Sequence, residues 1–500
     1  MVLRNAPLAL LALLLAAGLI LAGLAHDAPL ARQDGLLRAD ALSALLVVVV
    51  AAHGLVTLAR GTAHRWSAVA VAWLVAMAGL QGHLGALGGL LALAGLLTGA
   101  ESLERAGLPG WSRQVPRLAP LGVVAGMALI GLTGGEWNYG APLAGAGLNS
   151  LSFALILVAA LLALDARALA GEGAPASAPI LASGCLYALV RLFSLGPWNP
   201  GWLFAALLMG GLIALWGAWR AVVAPVERAA PWLGLSLGGM AIAGAGMGSA
   251  AGLSVVGYAL LLWPALRLGL ERPVAGARAL WLLSAAVPLS GPFVAGWLAI
   301  AAAAAGGVPA LTVALWLAAL LAALPPARLA GAPRPAGLAA PTGAGLEQGE
   351  RGHPDAPLDA TLVASAPPPG GEAPDKQEPS HPAASTGRPR AEPGSSTASA
   401  AVRPALTPEG RAWLAAAYSA GLGLGAPLAL AGLLTPVTAQ LQGGLTPFGE
   451  IVAWPWAGLI AFDTTRQPVA TLPSVALAGL MLVLSALCWV ALRLLALREH

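Results

Sequence analysis

The sequence predicts an all-α, polytopic integral membrane protein of about 14 transmembrane helices. Three observations carry that prediction. Of the 500 residues, 58% are apolar and only 10% are charged, where a soluble domain carries roughly 25%. The 26 basic and 22 acidic side chains are unevenly placed: 16 of them fall between 328 and 410, leaving 32 for the other 417 residues. Mean hydropathy is +0.79, and apolar runs long enough to cross about 30 Å of hydrocarbon recur along the chain. Together these exclude a water-soluble enzyme.

The first run, Asn5 to Ala25, is too long for a signal-peptide core. It also lacks a small-residue cleavage site before His26 and Asp27, so it is expected to remain as the first helix. Further runs follow at Ala41–Ala59, Ser67–Leu80, Leu84–Thr98, Leu118–Thr133, Leu148–Leu164, Pro179–Leu195, Trp202–Val223, Leu233–Gly248 and Leu253–Leu270. The last are Ala279–Leu289, Phe293–Ala305, Leu311–Leu324, Trp413–Leu434 and Ser474–Leu497. The stretches Ser67–Thr98 and Ala279–Ala305 each read as one span or two. In the second, Pro288, Gly291 and Pro292 favour a break, because proline removes a backbone donor and glycine loosens the chain.

Three regions are expected: a main bundle over 1–327, a linker over 328–410 and C-terminal helices over 411–500. The linker holds 15 of the 40 prolines and no periodic apolar pattern, so it cannot bury enough surface to offset its ordering entropy. Elsewhere the 64 glycines suit membrane helices that pack closely. Cys185 and Cys488 both lie in apolar runs and read as packing residues. Of the 26 basic residues 25 are arginine, and the one lysine, Lys376, lies in the linker. Loops holding Arg60 and Arg65, Arg105 to Arg117, Arg167, Arg228, and Arg272 and Arg278 alternate with loops poor in basic residues. The positive-inside rule makes these loops cytoplasmic and puts the N-terminus inside, although Arg32 and Arg38 lie in the opposite set.

Ionisable groups inside apolar runs are the candidates for function. Arg191 follows Tyr187 in "YALVR", and it reads either as a functional charge or as a residue snorkelling to the interface. Asp165 and Glu172 flank Arg167 before "GAPASAPILASG", whose Pro175 and Pro179 suggest an irregular helix start. Glu227 and Arg228 stand between two long runs, and Arg267 closes "GYALLLWPALR". His53 sits within a helix and titrates in the physiological range, but a packed, hydrogen-bonded histidine is the simpler reading. The tryptophans, among them Trp198, Trp202, Trp281 and Trp297, fit an interfacial belt. No nucleotide loop, metal-ligand spacing, iron–sulfur cysteine set or nucleophile–base constellation is seen, so no cofactor, metal or nucleic-acid partner is expected.

In order along the chain, "GAPASAPILASG" with "YALVR", "PVERAAPWLGLSLGGMAIAGAG", "GYALLLWPALRLG" and "AVPLSGPFVAGWL" resemble four motifs of one superfamily. It comprises the antiporter-like subunits of proton-pumping NADH–quinone oxidoreductase, with their relatives in membrane-bound hydrogenases and Mrp-type cation/proton antiporters. The resemblance covers most of Leu46–Pro326. It implies a multi-pass inner-membrane subunit of a larger complex, with redox subunits as partners and proton movement coupled to their chemistry. The chain itself would then carry no redox site.

Departures from the family pattern are as informative. The family's route uses an early-helix glutamate and mid-helix lysines, since a desolvated lysine can change charge state. Here "LGALGGLLALAGLL" has no acid, no apolar run carries a lysine, and Asp165 stands near a family lysine with opposite charge. Arginine stays protonated and makes a poor shuttle. Three readings are therefore open: a proton-translocating subunit, a scaffold that keeps the fold without conducting, and a stand-alone secondary transporter built on broken helices. Under the first, Asp165, Glu172, Arg191, Glu227, Arg228 and Arg267 are the candidates for the proton path.

Overall fold

A computed structural model describes residues 2–31, 36–61, 64–103, 110–134, 137–138, 150–164, 175–193, 200–225, 229–269, 290–331 and 407–441. The chain divides into two units, Met1–Ala332 with Val402–His500, and Pro333–Ala401. All described residues belong to the first.

Helix α1 (Val2–Leu24) leads into a two-stranded antiparallel ribbon, β1 (Leu30–Ala31) with β2 (Arg38–Ala39), in which Leu30 faces Ala39. Helices α2 (Ala41–Ala59), α3 (Arg65–Gly79), α4 (Leu84–Leu103), α5 (Gly110–Gly134) and α6 (Ser150–Ala163) follow. Next come α7 (Ala178–Phe193), α8 (Pro200–Val223), α9 (Ala229–Gly246), α10 (Ala250–Gly269), α11 (Gly291–Ala305) and α12 (Pro309–Gly331). After the intervening stretch the chain resumes as α13 (Pro408–Leu424), α14 (Ala426–Ala429), a π-helical turn (Leu430–Leu434) and α15 (Thr435–Leu441).

The predicted fold class is the observed one. Among the described residues, six helices are long and apolar enough to cross a membrane, or seven if the bent pair Gly410–Leu424 and Ala426–Leu441 is one span. Shorter apolar helices, among them α3, α6, α7 and α11, accompany them. Ser67–Thr98 resolves into two helices, α3 and α4. Gly291 and Pro292 form the first turn of α11 behind the cap Ser290, whose hydroxyl accepts from the Phe293 N–H. That is where proline is tolerated, its missing N–H being surplus in a first turn. Likewise Pro179 occupies the second position of α7, which starts as a regular helix. The single run expected over Trp413–Leu434 is bent by 71° at Gly425. Pro427 explains the bend, since its ring obstructs helical continuation from the preceding turn. Pro288, the run Ala279–Leu289 and the span Ser474–Leu497 lie outside the described residues, as does Cys488. Of the expected linker, the described residues include its first four, at the end of α12, and Thr407–Gly410 at the start of α13.

Packing is organised around α7, every residue of which is buried. It touches α2, α3, α4, α5, α6 and α9. Outward, the bundle leaves apolar faces that suit hydrocarbon, such as Leu13, Leu19 and Ile20 on α1 and Phe204, Leu212 and Trp216 on α8. Trp202 is no belt residue: it is buried, stacks on Phe153 at 5.2 Å and donates to the Ser150 hydroxyl at 3.1 Å. Helices α8 and α9 meet through glycine. A Cβ on Gly210 would collide with the backbone of Ala243, and one on Gly239 with that of Ala214. Such close approach lets two helix backbones pack without side chains between them.

Candidate functional site

Helix α7 carries a polar cluster at each end. At its C-terminal end Arg191 is 2% exposed and reaches Asp40, the residue that caps α2. The pair is bidentate: Nη1 donates to Oδ2 at 2.6 Å and Nη2 to Oδ1 at 2.7 Å. Asp40 Oδ1 also accepts from the Ser43 N–H at 2.9 Å and the Ser43 hydroxyl at 2.8 Å. Tyr187, one turn before Arg191, accepts from Nη2 at 2.8 Å and donates to the Gly79 carbonyl at 2.9 Å. Both charges also suit their helix ends, an acid at the N-terminus of α2 and a base in the last turn of α7. Arg191 is therefore a buried, partnered charge and does not snorkel.

Around this pair the connecting segments close over. The Arg38 N–H donates to the Leu80 carbonyl at 3.0 Å, and Arg38 Nε stands 3.7 Å from Asp40. The Gln440 side chain accepts from the Ala41 N–H at 2.9 Å and donates to the Ala25 carbonyl at 2.5 Å. In this way α15 staples the end of α1 to the start of α2. Tyr187→Phe keeps the ring and removes the hydroxyl that serves both Arg191 and Gly79. It is expected to cost about 1–2 kcal/mol, read as a lowered thermal midpoint of the detergent-solubilised protein.

At the opposite end of α7 the groups are milder. The Thr57 hydroxyl of α2 donates to the Ala176 carbonyl at 3.2 Å, and the Ser177 hydroxyl to Thr98 at 3.1 Å. One turn beyond Thr98, Glu101 is 3% exposed and accepts from the Ser67 hydroxyl, while its Oε2 has no partner among the described residues. Arg117 of α5 reaches the Gly99 carbonyl, two residues before Glu101, at 3.5 Å. Helix α4 thus does carry an acid. It stands just past the apolar string "LGALGGLLALAGLL", because the helix continues to Leu103.

The two clusters are separated by the 14 residues from Ser177 to Arg191, about 21 Å of helix rise. Between them α7 presents Cys185, which is buried, and Ser183, whose hydroxyl returns to the Pro179 carbonyl at 2.9 Å. Of the residues singled out from the sequence, Arg191 lies in the first cluster and Arg267 in the last turn of α10. Pro175 precedes α7, its carbonyl accepting from the Ala178 N–H at 3.2 Å. Asp165, Glu172, Glu227, Arg228, Trp198 and Trp281 lie outside the described residues. Neither Asp40 nor Glu101 is among the residues that the sequence singles out. Asp40 carries a local signal, since an aspartate three residues before a serine at the head of an apolar run is a helix-capping pattern. Among the described residues, no group of three or more His, Cys, Asp or Glu side chains could hold a metal ion.

Fold and site together define a polytopic α-helical membrane protein with a buried arginine–carboxylate pair clamped between its helices. The fold recurs in three solved assemblies. One is the Mrp complex from Dietzia sp. DQ12-45-1b, at a TM-score of 0.63 and 19% identity over 88% of this chain and 92% of that one. Another is respiratory complex I from Thermus thermophilus with bound NADH, at 0.54 and 17% over 88% and 98%. The third is the membrane-bound sulfane sulfur reductase, an archaeal respiratory membrane complex, at 0.52 and 14% over 63% of each chain. The motif resemblance therefore holds at the level of the fold. No family model matches the sequence, and no curated protein matches it.

Proposed function

We propose that this chain is a membrane subunit of a multi-subunit respiratory or hydrogenase-type complex, and that it takes part in proton translocation driven by redox chemistry in partner subunits. One observation carries the reading. The fold shared with subunits of ion- and electron-transfer assemblies, over 88% of this chain in two of the three, is here built around a helix with charged groups at both ends. Ionisable groups in a membrane interior are costly and persist where they serve a pathway or a partner. With the N-terminus inside, the Asp40–Arg191 end faces outward and the Glu101 end faces the cytoplasm. Under this reading Asp165, Glu172, Glu227 and Arg228 would serve the cytoplasmic mouth of the path, and Arg267, in the last turn of α10, would stand on that side. Residues 328–410 serve as a tether, and the complex resides in the inner membrane.

The scaffold reading has one observation in its favour: Arg191 is held by a carboxylate, a serine and a tyrosine, an arrangement that fixes position better than it passes protons. A mild-detergent pull-down of the tagged chain from its native membrane, with partners identified by mass spectrometry, tests the complex. Quinone-reductase, hydrogenase or antiporter subunits are the expected partners, and recovery of the chain alone would overturn the reading. Proton uptake by proteoliposomes bearing the purified complex then separates conduction from scaffolding.

A further inference from the structure

Helix α8 ends in a tryptophan–arginine cluster that takes no part in either polar end of α7. Arg220 stands in the last turn of α8, and Trp216 precedes it by one turn on the same face. The guanidinium carbon lies 5.8 Å from the Trp216 ring centroid and 4.8 Å from that of Trp232, in the first turn of α9. Gly217 makes the second contact possible. A Cβ there would strike the Ser236 backbone nitrogen and the Trp232 carbonyl, so the start of α9 lies directly on the end of α8.

Arginine is a permanent cation with five N–H donors. Arg220 is half-buried, its Nε has no hydrogen-bond partner, and no carboxylate pairs with it among the described residues. Arg191, by contrast, is met by Asp40, Ser43 and Tyr187. Two aromatic faces attract the charge of Arg220 but leave it without an anion. The surface beside it is apolar: Phe204, Leu208, Leu212, Trp216, Trp219 and Val223 are exposed at spacings of three and four, one continuous face of α8. Trp216 and Trp219, about half exposed at the arginine end, suit the membrane–water interface, where tryptophan rings sit at headgroup level. The positive-inside reading makes this the cytoplasmic leaflet, which carries anionic lipid.

We propose that Arg220, held between Trp216 and Trp232, binds the phosphate of an anionic phospholipid whose acyl chains lie along the exposed face of α8. The guanidinium fork matches a pair of phosphate oxygens, and the headgroup supplies the counter-charge that the bundle does not. The apolar face takes up the chains, which a soluble phosphate lacks, so the occupant is a lipid of the surrounding leaflet. The proposal stands on the membrane-spanning fold and holds whether or not the chain conducts protons.

The test is tryptophan quenching with the full-length chain in phosphatidylcholine liposomes. These contain a minor fraction of phosphatidylglycerol brominated on its acyl chains, or the same fraction of brominated phosphatidylcholine. Subtracting the signal of the variant that carries both Trp216→Phe and Trp219→Phe isolates the share due to those two rings. Phosphatidylglycerol is expected to quench that share more strongly than phosphatidylcholine does. In Arg220→Gln the preference should fall about fivefold, the effect of one basic residue at an anionic surface, and the thermal midpoint should hold, because the charge removed has no protein partner. Equal quenching of the wild type by the two lipids overturns the proposal, and so does a preference unchanged in Arg220→Gln. Loss of the wild-type preference in the assembled complex would assign this face to a partner subunit and overturn it as well. The wild-type comparison needs no variant to fold.

Discussion

Replacing Asp40 by alanine is expected to cost about 3–5 kcal/mol, because it leaves the Arg191 guanidinium buried without its counter-charge. The residue is also the cap of α2, and losing that cap adds about 1 kcal/mol. The variant should therefore be recovered in poor yield, with a sharply lowered thermal midpoint in detergent. Arg191→Ala should behave similarly, leaving a buried carboxylate with the Ser43 bonds and a distant Arg38. The informative partner is the double substitution Asp40→Asn with Arg191→Leu, which removes both charges and retains a capping side chain. It should recover most of the loss, since a buried ion pair exchanged for neutral groups is often close to neutral in stability. Unchanged midpoints in both single variants would show that the pair bears little on the fold.

The second large effect is expected at Gly239. Its α-carbon lies against the backbone of α8, with the Gly210 carbonyl 2.8 Å from where a Cβ would stand. Neither neighbour is a flexible side-chain tip, so Gly239→Leu has to push the two helices apart. A cost of about 3 kcal/mol follows from overpacking alone. It would be accompanied by loss of the Ser236 hydroxyl's bond to the Ala214 carbonyl, now 2.9 Å. Gly89→Ala is the matched control. It has open space within 4 Å and lies inside α4, so alanine there should be neutral or stabilise by about 0.5–1 kcal/mol. Thermal melts of the three proteins in one detergent check both expectations, and equal midpoints for Gly239→Leu and wild type would contradict the first.

The helices were legible because hydropathy measures the dominant constraint in a membrane, the satisfaction of every backbone group within its own segment. Ala41–Ala59 was read to the residue, its limits set by Asp40 before it and Arg60 after it. Where the reading slipped, hydropathy was the wrong measure. Helix α5 begins at Gly110, eight residues before the apolar run, and accommodates Pro116 and Pro120 inside it. The bend at Gly425 is a local matter of Pro427 in an otherwise uniform run. The candidate site was half legible. An arginine in an apolar run is conspicuous, but its acid lies 151 residues away in a loop that a one-dimensional reading treats as solvated. Glu101 escapes a hydropathy reading because the apolar count ends at Thr98 while the helix continues for another turn. His53 stands out in its apolar run, but that both its nitrogens lack partners among the described residues is a tertiary fact that no spacing reveals.

Helices α10 and α13 are joined by a reciprocal pair of bonds, Tyr258 to the Leu422 carbonyl and Tyr418 to the Leu261 carbonyl, both at 2.8 Å. Gln440 and Leu434 add contacts to the start of α2 and to Gly257. The segment from 407 to 441 is thus fastened to the bundle by its own side chains, whatever joins it covalently to residue 331. Two polypeptides, translated separately and broken anywhere between those positions, would retain every one of these fastenings. In such an arrangement the tyrosine clasp, and not a peptide connection, would hold the two pieces together.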